Sequence, residues 1–311
     1  MAQNGAPNSK AQAPRIGRVR RLRRALYVPI MLAPVVSVLA LLFFGAMVTA
    51  LVQSLGYAPI YGIDDFPSFE WYRELLTQPG FWRSLGLTFY YAITPTVVGL
   101  IASMVLALAL RKRFAGKGLF QYVYKLPMMI PYLVGVAITI LMFTNGGIVA
   151  RTLYALGIIE STNEFPRMLY SHAGWGVMIV YLWKQIPFMT LAIYSVLLGL
   201  GQESEEAAAT LGASPWQRFW HVTLPQVMPG VVSATIIVFA FNFGSFEVPF
   251  ILGGGFPNTL PVEAWRAFDN ADYTNRPRGM AIVMVIALIS GLLMYLYLTA
   301  YRRFERRRGR V

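Results

Sequence analysis

Two ionisable side chains interrupt long apolar stretches and are the first candidates for chemistry: Lys184, within Trp183–Phe188, and Glu247, within Phe243–Phe250. A charge near the centre of a membrane-crossing helix costs about 2.5–3.5 kcal/mol on insertion scales, so it faces a protein interior or a water-filled cavity. Lys184 is therefore expected to pair with a backbone carbonyl or a neighbouring chain, or else to meet a solute. Glu247 either pairs within the protein or lines a pathway with the residues around it, where Gly244 would permit close backbone approach. Glu247, Phe243, Ser245 and Lys184 are the candidate pathway residues.

Covalent chemistry finds little support. The chain has no cysteine, which removes thiolate nucleophiles, thiolate metal sites and disulfides. Its two histidines, His172 and His221, fall on opposite membrane sides in the topology read below, which argues against a His-based metal site or a Ser-His triad. No GxxxxGK[ST] phosphate loop is present, so the chain is not itself an ATPase. The nearest glycine-rich stretch, Leu252–Gly255, has no Lys-Ser or Lys-Thr after it and reads as a flexible helix exit. No catalytic residue, cofactor or metal is expected in this chain.

The elements that must position the two charges are membrane helices. Hydrophobic residues make up 56% of the chain and charged residues 13%, with mean hydropathy +0.53, the profile of a polytopic membrane protein. Six apolar runs, at 25–55, 84–110, 126–144, 173–200, 227–251 and 279–301, are each near the ~20 residues needed to cross a bilayer. The first run is too long for a cleaved signal peptide. Prolines inside the runs, such as Pro95, Pro127, Pro131 and Pro187, are tolerated in membrane helices and force no seventh break. The fold class is all-α and polytopic.

Charge orients the bundle. With the N-terminus inside, eighteen Lys and Arg fall on the cytoplasmic side and seven outside, with Lys125 and Lys184 assigned to spans; this obeys the positive-inside rule. Both termini are then cytoplasmic. Residues 1–24 form a basic tail against anionic headgroups, not a nucleic-acid-binding arm, and 302–311 form a second basic tail. Residues 25–83 are the first span with an external connection rich in aromatics, read as an interfacial belt, with a docking surface for a soluble partner as the sharper alternative. The connection 145–172 is expected to include a short surface helix.

One polar, Ala-rich interruption separates spans four and five: Glu203–Pro225. It reads as two short helices with a turn between them. Glu203, Glu205 and Glu206 suit the positive end of the first helix, and Gly212 stands where a left-handed cap would sit. Ser214, Pro215 and Gln217 supply an N-cap, a first-position proline and a capping-box partner for the second. Glu206-Ala207-Ala208, three residues, Gly212, nine residues, then Val222-Thr223-Leu224-Pro225 resembles the EAA loop of bacterial binding-protein-dependent ABC importer permeases, departing from it only in Val222 for the usual Ile.

The resemblance covers 84–301, the permease core, and implies an ABC type I importer permease fold. It implies that Glu206, Ala207, Ala208, Gly212, Leu224 and Pro225 couple the chain to a cytoplasmic ATPase. It further implies a second permease, identical or different and with a heterodimer expected, two ATP-binding cassette subunits that carry ATP and Mg, an extracytoplasmic solute-binding protein, and a bacterial inner-membrane location. Phe246–Trp265 looks more like permeases of the polyamine, ferric-iron and thiamine group than like sugar permeases, and Glu247 suits a cation; sugar or glycerol phosphate is the alternative. A secondary transporter, from a different class, would need inverted repeats, and none is seen.

Overall fold

The structure, a computed structural model, describes residues 16–171, 173–200 and 203–307. The basic tail up to residue 15, the end of the C-terminal tail from 308 and His172 lie outside the described residues. The chain divides into two compact units, Met1–Val52 and Gln53–Val311. The first is made by helix α1 (Ile16–Ser54), which contains Pro29 and Pro34 and an apolar stretch from Pro29 long enough to cross a membrane.

The second unit opens with a two-stranded ribbon, β1 (Tyr57–Ala58) against β2 (Ile63–Asp64), antiparallel and the one departure from an all-helical chain among the described residues. Helix α2 (Glu70–Thr77) follows, then α3 (Pro79–Arg111), which starts earlier than hydropathy alone suggests because Pro79 occupies a first-turn position where its missing N–H costs nothing. Short helices α4 (Lys117–Val123) and α5 (Leu126–Met129) lead to α6 (Tyr132–Phe143) and α7 (Ile148–Ala155), a short helix within the connection 145–172. Helices α8 (Trp175–Gly199), α9 (Glu203–Thr210), α10 (Pro215–Arg218), α11 (Leu224–Gly244), α12 (Glu247–Leu252), α13 (Leu260–Phe268) and α14 (Arg276–Arg307) complete the chain.

Six helical stretches are long and apolar enough to cross a membrane among the described residues: Pro29–Ser54, Pro79–Arg111, Tyr132–Ala155, Trp175–Gly199, Pro215–Gly244 and Tyr273–Arg303. Their number matches the sequence reading, but two runs read as continuous are broken. The run 126–144 is interrupted between α5 and α6, where Ile130 and Pro131 are extended, because a residue before proline is driven out of the helical region. The run 227–251 stops at Gly244, and Ser245 is extended before α12 begins.

Helix α8 is the axis of the second unit. Val177, Val180, Tyr181, Met189, Ile193 and Leu197 recur at helical spacing and are all buried, as expected of a span surrounded by protein. At one end Tyr181 and Val177 pack with Tyr91 of α3, Val136 of α6 and Leu252 of α12. At the other, Ile193 and Leu197 pack with Ala107 and Leu110 of α3 and Val227 and Val231 of α11. Gly230 lets α11 approach α8 closely: a Cβ there would lie 2.8 Å from the Val196 side chain and 3.1 Å from the Ala192 carbonyl. The aromatic connection after α1 is tied down within this unit, with Arg276 over the rings of Tyr61, Phe268 and Tyr273.

Candidate functional site

The Glu203–Pro225 segment has the local structure its residues dictate. Helix α9 carries three acidic residues in its first turn and ends on Gly212 at φ 83°. The Gly212 N–H donates to the Ala209 carbonyl and the Ala213 N–H to the Ala208 carbonyl, both at 3.0 Å, which is the paired closure of a Schellman cap. Two residues on, the Gln217 N–H donates to Ser214 Oγ at 3.3 Å while the Ser214 N–H donates to Gln217 Oε1 at 2.8 Å. That reciprocal box starts α10, with Pro215 at its first position.

The sequence reading places a second short helix before span five; instead α10 runs into α11 as one helix. Phe219–Thr223 forms a π-helical turn in which the Leu224 N–H reaches back five residues to the Phe219 carbonyl. Pro225 supplies the reason: it has no N–H to give, and its ring crowds the preceding turn, so the helix widens to pass it. Leu224 and Pro225 thus sit within a continuous helix and not in a loop. His221 lies on this turn with Nδ1 3.0 Å from the Gln217 carbonyl.

Glu205, read from sequence only as a charge suited to a helix start, is the residue that ties this segment to the bundle. Its Oε1 accepts from Arg111 Nη1 at 2.6 Å and from Thr223 Oγ1 at 2.5 Å. Burial pushes the Glu205 carboxyl up, but the Thr223 and Arg111 hydrogen bonds and the Arg111 and Arg218 charges outweigh it, so the group is held below its ordinary value. Arg111 is 94 residues away in sequence, a separation no local pattern reveals.

Lys184 is 6% exposed and fully engaged with backbone. Its Nζ donates to the Pro127 carbonyl at 2.6 Å and to the Ile130 carbonyl, and lies 4.8 Å above the ring of Tyr132. This is the carbonyl pairing that the sequence allows. One residue on, Gln185 exchanges hydrogen bonds with Asn242, whose Nδ2 also donates to Thr96 Oγ1 at 3.3 Å. These buried amides were missed in the sequence, where their neighbours are apolar; a polar residue within each span was the available signal.

Glu247 and Ser245 line a cavity of about 730 Å³ with Tyr132, Phe241, Gly244 and Phe246, within the size range of small-molecule sites. Glu247 is exposed in the first turn of α12, and no ion pair to it occurs among the described residues. Two expectations are corrected. Phe243 is fully buried, packed on Phe89 and Phe239, so it faces the core; Phe241, two residues earlier, lines the cavity and stacks on Tyr132 at 4.8 Å. Gly244 mediates no close approach, since the space where its Cβ would stand is open; it ends α11. At the glycine-rich exit of α12 the Gly253 N–H donates to the Pro249 carbonyl at 2.9 Å, and a Cβ there would fall 2.4 Å from that oxygen.

Residues 97–310 match the family described as binding-protein-dependent transport system inner membrane component. The chain is 32% identical over 233 residues to the sulfate transport system permease protein CysW of Synechocystis sp., which spans 72% of this chain and 79% of that protein. It is 28% identical over 241 residues to the sulfate transport system permease protein CysT of Escherichia coli, spanning 77% and 83%. In fold it matches a chain of a bacterial alginate ABC transporter solved in complex with alginate pentasaccharide-bound periplasmic protein, with a TM-score of 0.76, 16% identity and coverage of 92% of this chain and 97% of that one.

Proposed function

We propose a working mechanism from one established premise: this chain belongs to the binding-protein-dependent transport system inner membrane components and is a permease subunit of an ABC importer. In this reading the spans form the solute pathway, and α9 with its Gly212 turn is the surface on which a separate ATP-binding subunit acts. Glu206, Ala207 and Ala208 form its docking helix, Gly212 fixes the turn, and Leu224 and Pro225 join it to span five. ATP and Mg belong to the partner, and this chain makes no covalent change to its solute.

The observation that carries the coupling role is the form of α9. The helix has three acidic residues in its first turn, a Schellman stop and no buried side chain, and Leu211 at its end is 89% exposed. Small alanines allow a partner backbone to approach, and an exposed leucine offers an apolar anchor. The excess of Lys and Arg on one side of the spans supports a cytoplasmic position for this segment. A second permease subunit, as a heterodimer, two ATP-binding subunits and an extracytoplasmic binding protein complete the assembly. The periplasmic protein bound in the alginate transporter supports the last of these.

For the solute we propose a cation, with a polyamine as the type. The cavity beside α12 presents one carboxylate, Glu247, among the aromatic faces of Tyr132, Phe241 and Phe246, a surround that attracts positive charge. Lys184, which lies over the ring of Tyr132, is committed to carbonyls. A sugar or an oxyanion is the second reading, favoured by the relatives named for sulfate and by the alginate transporter.

Cross-linking tests the coupling role. A cysteine at Ala209 should form a disulfide with a cysteine placed in the surface groove of the ATP-binding subunit, in a complex purified through either protein. An active complex in which no groove position reacts with Ala209→Cys rejects it.

A further inference from the structure

Helix α9 owes almost nothing to apolar packing. None of its side chains is buried, and only Glu205 and Ala208 are even half-covered. What holds it is the Glu205 carboxylate, one oxygen of which meets Arg111 at 2.6 Å and Thr223 at 2.5 Å. Arg111 is the last residue of α3, and Thr223, 4% exposed, is the last residue of the π turn that continues as α11. Both helices pack along α8. The backbone connects α9 to α8 on one side and, through the Gly212 turn, to α10 and α11 on the other. Its attachment to α3 runs through Arg111 and Glu205.

We propose that Glu205 is the positioning residue through which movement of α9 reaches α3 and α11 together, with Arg111 and Thr223 as its two anchors. The proposal rests on the reading of α9 as the helix that docks on the ATP-binding subunit, and it adds the route by which that docking reorients spans. An exposed ion pair is worth ~0–1 kcal/mol and would transmit little. This pair differs: the Arg111 and Glu205 side chains are only 14% and 25% exposed, and the shared oxygen carries two charge-assisted bonds, which are shorter and stronger than neutral ones. The wide π turn beside Thr223 places that hydroxyl toward α9, so the local irregularity forced by Pro225 also supplies the second anchor.

The test uses the assembled complex in nanodiscs and needs no knowledge of the solute. Gly244→Cys provides the reporter, since it lines the cavity and has open space for a side chain; its labelling rate by a fluorescent maleimide is read with and without trapping by ATP and vanadate. Basal ATP hydrolysis and the Ala209→Cys cross-link to the ATP-binding subunit are read on the same preparation. With Glu205 intact, trapping should change the rate about tenfold, within the 5–150-fold range of coupled sites. Glu205→Gln and Arg111→Gln should each keep the cross-link and basal hydrolysis while losing most of that change. The double variant should be no worse than either single, and the reversal Glu205→Arg with Arg111→Glu should recover part of the response. A full response in the single variants, additive losses, or a reversal no better than the double variant overturns the proposal. If Glu205→Gln does not assemble, Thr223→Val, which removes one anchor and no charge, carries the test, and an unchanged response in it is also a rejection. Absence of the cross-link with Glu205 intact would instead reject the docking reading on which the proposal stands.

Discussion

Lys184 donates to the carbonyl of Pro127 at 2.6 Å, and that carbonyl is the one whose helical donor is missing. In an unbroken α-helix it would accept from the N–H four residues on, but residue 131 is proline. The break between α5 and α6 and the lysine on α8 therefore explain each other. Proline removes a donor and turns the chain, and an ammonium from the neighbouring span occupies the freed acceptors. Backbone broken at membrane depth persists where protein satisfies it, and here a single side chain does so while also lying over the ring of Tyr132.

Replacing that ammonium should cost stability and not solute recognition. Lys184→Met retains length and apolar bulk but leaves two carbonyls without their donor, each worth about 1–3 kcal/mol when buried and unmet, less the relief of no longer burying a charge. The purified complex should melt several degrees lower, with solute affinity per folded complex unchanged. An unchanged melting temperature with lost uptake would move Lys184 into the pathway.

At the Gly212 turn the constraint is conformational. A φ of 83° strains most side chains with a Cβ, yet nothing stands within 4 Å of where that atom would go, so conformation alone sets the cost. Gly212→Ala should cost about 1 kcal/mol and Gly212→Val up to about 3, whereas Asn, which tolerates the left-handed region, should be nearly neutral. Stimulation of ATP hydrolysis should fall in the order Asn, Ala, Val while the chain still inserts. Full stimulation in an assembled Gly212→Val complex would show that the turn is not needed for coupling.

Local signals explain what is legible in the sequence. The caps around Gly212 and Ser214 depend on residues within five positions of each other, and six spans follow from windows of hydropathy; both are present in the structure. Hydropathy does not register a break, however: one proline, or a Gly-Ser pair, barely lowers the mean of a long apolar window, so 126–144 and 227–251 read as whole helices. Nor does it register which face is inward, so it does not separate Phe243, which is buried, from Phe241, which lines the cavity. The Arg111–Glu205 and Gln185–Asn242 contacts join distant segments, and only packing of α3 and α11 on α8 brings them together.

Topology can be tested directly in a chain without native cysteine. Single cysteines at Asn163 and Asn270, both exposed, should react with an impermeant maleimide added outside intact cells. Those at Leu211 and Gln217, also exposed, should react only after the membrane is opened. External labelling at Gln217 would reverse the orientation and remove the coupling assignment with it.

Glu247 is the point on which the solute reading turns. It stands exposed at the first turn of α12, beside a cavity whose other named walls are aromatic or small. A carboxylate suits the start of a helix, which favours negative charge by about 0.3–1 kcal/mol, so its presence has a structural explanation as well as a functional one. Glu247→Gln separates them, since it keeps the shape and removes the charge. If the carboxylate attracts a cation, uptake of a polyamine such as spermidine should weaken several-fold at low salt, and the defect should shrink as salt rises, because an exposed charge interaction is screened over about 8 Å at physiological ionic strength. Assembly and melting temperature should hold. If the charge serves the helix start, the melting temperature should fall and uptake per folded complex should not. A variant with improved uptake of sulfate would favour the oxyanion reading, because a carboxylate in the pathway repels an anion and its removal would lower that barrier.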